Sequence, residues 1–200
     1  MLKDTSIELF LDDLASRNPT PSGGSAAAVM GAMGAALVSM VCNLTIGRTQ
    51  YRDFEEELKS VLTKAEELRR DLIKMVEEDM QAFDAVMRAY RMPRLTKDET
   101  ATRAQVIQTA LKTATLVPMR CCRAYREVII LGRNVVSDAG VATVAAYAAL
   151  RSAALNVFTN AKVITDRIFA EKQLVELEQL LSEADTATEA SYELVKKKLG

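Results

Sequence analysis

The chain has 200 residues, 49% hydrophobic and 26% charged, with 26 Lys plus Arg against 27 Asp plus Glu. This composition is typical of one soluble globular domain over residues 1–200, and the balanced charge gives no net field that would favour nucleic acid or an anionic membrane. Histidine is absent, which excludes the commonest general base and the commonest zinc ligand.

The cysteines and the N-terminal segment indicate the compartment. Cys42 and the adjacent pair Cys121 and Cys122 have no metal-ligand spacing, so we expect reduced thiols and no metal site. Residues Met1 to Phe10 carry both signs of charge and lack the basic-then-apolar order of a secretion signal. We therefore expect a cytoplasmic location.

The pattern of the whole chain predicts an all-α fold, a helical bundle with long helices and two buried small-residue helices. Prolines are few, and alternating β-branched runs bounded by turns are missing. The first predicted element is a short amphipathic helix over residues 5–16, whose apolar face contains Ile7, Phe10, Leu11 and Leu14.

The second element is an uncharged run from Asn18 to Gly47, in which a Pro/Ser/Gly loop leads into a helix over Ser25–Thr45. Its length is enough for a membrane span. Its Ala, Gly, Ser and Met residues, however, transfer poorly into lipid, so we expect a buried helix and no membrane contact. Ala27, Gly31 and Ala35 share one face, which predicts close approach to another helix.

A long helix is predicted from Tyr51 to Tyr90. Its apolar positions alternate by four and three, a near-heptad stripe that packs along a neighbour: Phe54, Leu58, Val61, Ala65, Leu68, Leu72 and Met75. Pro93 ends this helix, and Thr96 to Glu99 restarts a helix with cap-like residues. Pro118 is expected to kink or interrupt that next helix.

A second small-residue helix is predicted over Ala139–Thr165, in which Arg151 is the sole charge between Ala139 and Ala161. The tail, Asp166 to Gly200, is interpreted as two surface-facing amphipathic helices. Two nearly uncharged helices in one soluble chain require more burial than a simple bundle gives, so a symmetric homodimer is expected.

Asp79 is a candidate catalytic residue because the apolar stripe, continued past Met75, reaches it. Its helical neighbours are apolar, and an inward carboxylate tends to titrate high, where it can exchange protons near neutral pH. The alternatives are that helix drift turns Asp79 outward or that it pairs with an arginine.

Amide and hydroxyl side chains recur at helical spacing on both small-residue helices: Ser39 and Asn43 on the first, and Ser152, Asn156 and Asn160 on the second. Buried amides must be hydrogen-bonded. They either line a polar ligand cleft or connect the two helices across the core. The residues by themselves favour the structural alternative.

Two loops precede the small-residue helices. The first, Ser22 to Ser25, either presents backbone N–H groups to an anion or an oxygen-rich ligand or serves only as a tight chain crossing. The second runs from Arg133 to Gly140, and Asp138 in it is either functional or only a helix cap. Tyr147, Arg151 and Lys162 either lie where a carboxylated ligand tail would end or are simply solvated, as charges on such helices usually are.

The chain resembles the cyclodeaminase/cyclohydrolase family, which is related to the C-terminal domain of formiminotransferase-cyclodeaminase. The likeness covers essentially the whole chain. The motifs are Pro21-Ser22-Gly23-Gly24-Ser25, the run Gly31 to Gly47, Asp79 with Ala82-Phe83, and Ser137-Asp138-Ala139-Gly140-Val141-Ala142 leading to Ala153-Ala154-Leu155-Asn156-Val157. Departures are Ser22 in place of the usual Gly and a short connector after Gly132.

The length, the paired cysteines and the Leu150 to Val157 segment resemble the cyclohydrolase branch of this family. The resemblance implies hydrolysis of 5,10-methenyltetrahydrofolate to 10-formyltetrahydrofolate, with the folate as substrate and no separate cofactor. It implies catalytic roles for Asp79, on the attacking water, and for Asp138. The implied substrate-binding residues are Gly23, Gly24, Ser25, Asn43, Ser137, Arg151, Asn156 and Asn160.

Two alternatives remain at this stage. A formiminotetrahydrofolate cyclodeaminase would use the same carboxylate as a proton donor for departing ammonia. A non-catalytic helical scaffold would use its small-residue faces only for assembly.

Overall fold

The computed structural model describes residues 5–132 and 138–199, and in these residues the protein consists of helices with no strand. The α-helices are α1 (Ile7–Ala15), α2 (Gly23–Thr45), α3 (Glu55–Tyr90), α4 (Lys97–Gly132), α5 (Asp138–Val163) and α6 (Arg167–Leu199). A 3-10 segment, Thr49–Phe54, precedes α3. The all-α prediction is confirmed.

Four helices form the core. α2 packs against α3 and α5, and α4 packs against the same two helices from the opposite corner, while α6 covers the outer side of α4 and α5. Their buried faces, joined by α6, supply a main cluster that includes Leu72, Tyr125, Val128, Leu150 and Val157. A second, smaller cluster includes Ile107, Leu111 and Ile164. The small residues of α2 and α5 account for much of the rest of this core.

Glycines on α2 set how closely the bundle packs. A Cβ atom placed on Gly31 would overlap with Cε1 of Tyr125, and one on Gly34 would lie 3.0 Å from the carbonyl oxygen of Ala142. Because no side chain intervenes, the backbone of α2 lies directly against α4 and α5. The prediction that this helix contacts other helices closely is confirmed.

The start of α4 follows the predicted capping pattern. The backbone N–H of Glu99 donates to Oγ1 of Thr96 at 3.1 Å, and the N–H of Thr96 donates to Oε2 of Glu99 at 3.0 Å. This reciprocal pair is a capping box.

Of the two outcomes predicted for Pro118, a kink or an interruption of the next helix, the interruption is wrong, because α4 is continuous through it. Proline has no N–H, so the carbonyl of Ala114, four residues earlier, lacks its usual helical donor. The Asn160 side chain of α5 supplies one instead, since its Nδ2 donates to that carbonyl oxygen at 3.0 Å.

Two other helix boundaries differ from the prediction. The tail forms the single helix α6 instead of two helices, because no Pro or Gly lies between its ends. The long helix α3 begins at Glu55, after the 3-10 segment, whereas the stripe predicted a start at Tyr51.

Some side chains that the sequence predicts to be buried are exposed. On α1 only Phe10 is buried, whereas Ile7 and Leu11 are exposed. Asn43, expected inside a buried helix, is exposed near the end of α2. Each small-residue helix also has an exposed face with apolar side chains, such as Met33 on α2 and Leu155 on α5.

Two helical segments, Gly23–Thr45 and Gly140–Val163, are long and apolar enough to pass a length-and-composition test for membrane spans. Core helices of soluble proteins pass the same test. Both segments pack within the bundle, which accounts for their apolar composition.

The role of Asn160 gives a prediction about stability. Asn160→Ala leaves the Ala114 carbonyl without its donor and is expected to lower the free energy of unfolding by about 1 kcal/mol. In a Pro118→Ala background, the backbone N–H restored at position 118 donates to the Ala114 carbonyl. Asn160→Ala is then expected to lower the free energy of unfolding by less than half as much.

Urea unfolding of the four proteins in this double-mutant cycle measures the coupling. An equal loss in both backgrounds would show that Asn160 does not compensate for the proline.

Candidate functional site

Asp79 lies on α3, half-buried, with its carboxylate against the first turn of α2. Its Oδ2 accepts hydrogen bonds from Oγ of Ser25 at 3.1 Å and from Oγ of Ser22 at 3.3 Å. The outward orientation that helix drift would allow is not observed. The loop that precedes α2 and the long helix α3 thus meet at this carboxylate.

Gly24 makes this arrangement possible. A Cβ atom at this position would overlap with Oδ1 of Asp79, so any side chain larger than hydrogen would displace the carboxylate. The first turn of α2 contains no acidic residue, and the N-cap Ser22 makes no side-chain cap bond to it. Asp79 therefore supplies, from another helix, the negative charge that a helix N-terminus favours.

The proton affinity of Asp79 reflects two opposing effects. Burial raises the pKa of this carboxyl, while the hydroxyls of Ser25 and Ser22 and the backbone N–H of Ser25 lower it by a smaller amount. The net pKa lies above the usual range for aspartate. Such a carboxyl exchanges protons closer to neutral pH than an exposed one does.

Three residues near Asp79 were not singled out as site residues by the sequence analysis. Met75 lies one turn before Asp79, and its Sδ is 3.4 Å from Sγ of Cys121 on α4. Tyr125, one turn after Cys121, is fully buried against Gly31. Periodicity places Met75 and Asp79 on one face of α3, but it does not identify which residues of α4 lie opposite.

Among the predicted substrate-binding residues, Gly24 and Ser25 meet Asp79. Gly23 is the exposed first residue of α2 and has open space around it. Asn43 lies at the other end of α2, about 27 Å from Ser25 along the helix axis at about 1.5 Å per residue. Asn43 is therefore not part of the Asp79 cluster.

The predicted binding residues of α5 face other helices. The Arg151 guanidinium is 3.9 Å from Oδ1 of Asp185 on α6 and 6.0 Å from the ring centre of Tyr147. Asn160 contacts α4 through its side chain. Asn156, which is also on α5, is half-buried. None of these described contacts joins them to Asp79.

Two further predicted residues lie at the start of α5. Ser137 lies outside the described residues, and so does the side chain of Asp138. Across the part of the chain that the structure does describe, no group of three or more His, Cys, Asp or Glu side chains is placed to hold a metal ion.

Comparisons with known proteins give a consistent picture. A family model described as formiminotransferase-cyclodeaminase matches residues 6–179. The chain is 58% identical over 207 aligned residues to methenyltetrahydrofolate cyclohydrolase of Methylorubrum extorquens, covering 100% of both proteins. It is 33% identical over 193 residues to formimidoyltransferase-cyclodeaminase of Mus musculus, covering 92% of this chain and 36% of the mouse protein.

A solved structure is similar over the full length. The crystal structure of formiminotetrahydrofolate cyclodeaminase from Thermotoga maritima superimposes with a TM-score of 0.90 at 30% sequence identity, covering 100% of each chain. The bundle described above is therefore shared with that enzyme.

The raised pKa of Asp79 gives a prediction about stability and pH. An acid whose pKa is raised on folding stabilises the fold fully below its ordinary pKa and loses that contribution as pH rises through the raised value. Asp79→Asn, which stays neutral, is thus expected to have a higher melting temperature than the parent at about pH 7 to 8, with the difference shrinking toward about pH 4.

The matched control is Asp71→Asn, on the same helix, which removes an exposed carboxylate paired with Lys74 at 3.1 Å. Its stability difference should lack this pH trend. An Asp79→Asn protein less stable than the parent under those neutral to mildly alkaline conditions would contradict the prediction.

Proposed function

Because the chain belongs to the formiminotransferase-cyclodeaminase family, we propose that it is a methenyltetrahydrofolate cyclohydrolase that hydrolyses 5,10-methenyltetrahydrofolate to 10-formyltetrahydrofolate in one-carbon metabolism. The observation that carries the proposal is the full-length 58% identity to an enzyme of that name. The half-buried Asp79, with its raised pKa, supplies a chemical group suited to the reaction.

The substrate is a cyclic amidinium cation, and a carboxylate stabilises such a charge electrostatically. Asp79 accepts a proton from the water that adds to the amidinium carbon. The carbon–nitrogen bond of the resulting adduct then breaks, the freed nitrogen takes the proton back from Asp79, and the adduct hydroxyl becomes the formyl carbonyl by releasing its own proton. Net, one water is consumed and one proton is released.

The first turn of α2 supports the same chemistry. Gly23 and Gly24 supply backbone N–H groups at a helix N-terminus, where a developing oxygen charge is stabilised, while the backbone N–H of Ser25 donates to Asp79. The hydroxyls of Ser22 and Ser25 orient the Asp79 carboxylate.

The other roles come from the family resemblance. Asp138 and Ser137 contact the folate ring nitrogens or amine in this proposal. Asn156 and Asn160 position the substrate, and Arg151 meets a carboxylated tail; Asn43, at the other end of α2 from Asp79, is left out of the proposed site. For Asn160 and Arg151 the described contacts give structural roles as well, to Ala114 and Asp185.

A second candidate function is formiminotetrahydrofolate cyclodeaminase, favoured by the similarity to the Thermotoga maritima enzyme. In that reaction a folate nitrogen attacks the formimino carbon and ammonia leaves, so the carboxyl of Asp79 acts as proton donor. The higher identity, 58% against 30%, favours the cyclohydrolase.

We also propose that the protein is a homodimer. The outer face of α2 exposes Met33 at 60% and Met40 at 38%, and the adjacent helix α5 exposes Val144 at 45% and Leu155 at 65%. Because α2 carries no charged residue, these exposed apolar side chains have no charged neighbour on their own helix, and exposed apolar patches mark association sites. A twofold axis pairs such a surface with its own copy.

The remaining expectations are part of the same proposal. A folate-converting enzyme of balanced charge needs no nucleic acid or membrane partner, and it works in the cytoplasm. Carboxylate and backbone groups are sufficient for the hydrolysis, so the proposal includes neither a metal nor a cofactor.

Asp79→Asn tests the catalytic assignment. We expect turnover to fall by about 10² to 10⁴, the contribution of a positioned general base, with helical content unchanged. The assay follows the loss of near-ultraviolet absorbance of methenyltetrahydrofolate, and Asp71→Asn is the control that keeps its rate.

A near-normal rate for Asp79→Asn would remove this residue from the mechanism. Ammonia release from formiminotetrahydrofolate, without hydrolysis of the methenyl substrate, would establish the second candidate function. An inactive parent protein in both assays would favour the scaffold.

Met33→Glu tests the homodimer. Placing a carboxylate in the apolar face of α2 costs desolvation in an interface, so the parent should have the mass of a dimer in solution and the variant that of a monomer. Light scattering after size exclusion measures both. Val175→Glu, on the exposed face of α6, is the control and should stay dimeric; a monomeric parent would contradict the proposal.

A further inference from the structure

Ser22 is the N-cap residue of α2, and its hydroxyl does not cap the helix. A serine at this position ordinarily accepts a hydrogen bond from a backbone N–H of the first turn. Ser6, the N-cap of α1, does so, since its Oγ accepts from the N–H of Leu9 at 3.1 Å. The Oγ of Ser22 makes no such bond and donates instead to Oδ2 of Asp79 at 3.3 Å. Ser22 therefore acts on a carboxylate of another helix.

Two hydroxyls reach the same carboxylate oxygen from different surroundings. Ser25 is fully buried within α2, and its Oγ donates to Oδ2 of Asp79 at 3.1 Å. Ser22 is half-buried and lies just before the helix. The hydroxyl of Ser22 can therefore be removed without altering a buried side chain of α2 and without losing a cap bond.

Hydrogen bonds, and not charges, oppose the effect of burial on Asp79. Burial raises the pKa of this carboxyl, the bonds from Ser25 and Ser22 lower it, and no charged side chain is among the causes. The chain from Asn18 to Gly47, which includes all of α2, contains no charged residue. The two serines are therefore the side chains that favour the ionised form.

The titratable groups of α3 and α4 around Asp79 are either neutral or paired. Burial raises the pKa of the Cys121 thiol to about 12 and the pKa of Tyr125 well above its usual range, so both are neutral at physiological pH. Glu78, next to Asp79 on α3, is paired with Arg120 of α4. None of these groups replaces the donors on α2.

The two candidate reactions of the site need opposite states of this carboxyl. Hydrolysis begins with the carboxylate, which takes a proton from water. Ammonia release begins with the protonated acid: the proton of the attacking folate nitrogen passes to the imine nitrogen, Asp79 gives the proton that completes ammonia, and solvent protonates Asp79 again. Each unit of pKa changes the ratio of ionised to protonated carboxyl tenfold.

We propose that Ser22 is a positioning residue that favours hydrolysis over ammonia release, because its hydroxyl donates to Oδ2 of Asp79 and stabilises the ionised carboxylate. The selectivity rests on the proposed function, namely that Asp79 transfers the proton in both reactions. The effect of Ser22 on the ionisation of Asp79 does not depend on it.

Ser22→Ala removes the hydroxyl. We expect the acidic limb of the pH profile of kcat/KM for hydrolysis to move to higher pH by about half a unit to one unit, because the carboxylate loses a donor that water replaces only in part. At a pH on that limb, hydrolysis should fall roughly three- to tenfold, and ammonia release from formiminotetrahydrofolate should rise relative to hydrolysis by the same factor.

Two matched variants separate this effect from helix capping. Ser22→Thr keeps a hydroxyl at the N-cap and should leave the acidic limb near its position in the parent. Ser6→Ala removes a serine that does cap its helix, so it should lower the melting temperature at every pH and leave the pH profile in place.

A measurement without substrate separates this proposal from the proposed function. The stability difference between the parent and the Asp79→Asn variant, followed against pH, reports the titration of Asp79. In the Ser22→Ala background the midpoint of that titration should move to higher pH. If the parent acts on neither folate substrate, the proposed function fails, yet this midpoint still decides whether Ser22 acts on Asp79.

Ser22→Gly provides a second variant if Ser22→Ala does not fold, because glycine is tolerated at an N-cap and also lacks the hydroxyl. A midpoint that stays in place in the folded variants would overturn the proposal. A midpoint that moves without any gain of ammonia release relative to hydrolysis would overturn the selectivity that we assign to Ser22.

Discussion

The structure depends on the contact between the Asp79 carboxylate and the first turn of α2. Gly24 permits this contact because it has no side chain, and the hydroxyls of Ser22 and Ser25 complete it. The loop before α2 is thereby held against α3. The same lack of a side chain at Gly31, about two turns further along α2, lets the ring of Tyr125 pack in from α4.

A half-buried carboxylate that is bonded to hydroxyls and not paired with a cation lowers the stability of the fold. Its raised pKa also suits it to proton transfer near neutral pH. No described Lys or Arg forms an ion pair with Asp79, and burial outweighs its hydrogen bonds, so its ionised form is destabilised. Under the proposed function, a cationic substrate would relieve that cost on binding, because it brings the missing positive charge. The stability lost at this position is then an expected feature of the proposed reactive site.

Polar residues on the small-residue helices divide into those that contact Asp79 and those that contact other parts of the bundle. The two groups have the same spacing in the sequence. Ser25 faces Asp79, whereas Asn160 compensates for the missing N–H of Pro118 and Arg151 lies beside Asp185. All three occur at helical spacing in segments almost without charge. Their surroundings differ because each faces a different neighbouring helix, and that information is absent from the spacing.

The sequence by itself determined the all-α class, the family resemblance and the face of α3 on which Asp79 lies, because helical periodicity and turn residues are local properties. Only the tertiary structure decided that Ser25, 54 positions away in the chain, donates to Asp79. It also decided that Tyr125 packs against Gly31 and that α4 continues through Pro118. These outcomes depend on which helices become neighbours, and periodicity identifies a buried face without identifying its partner.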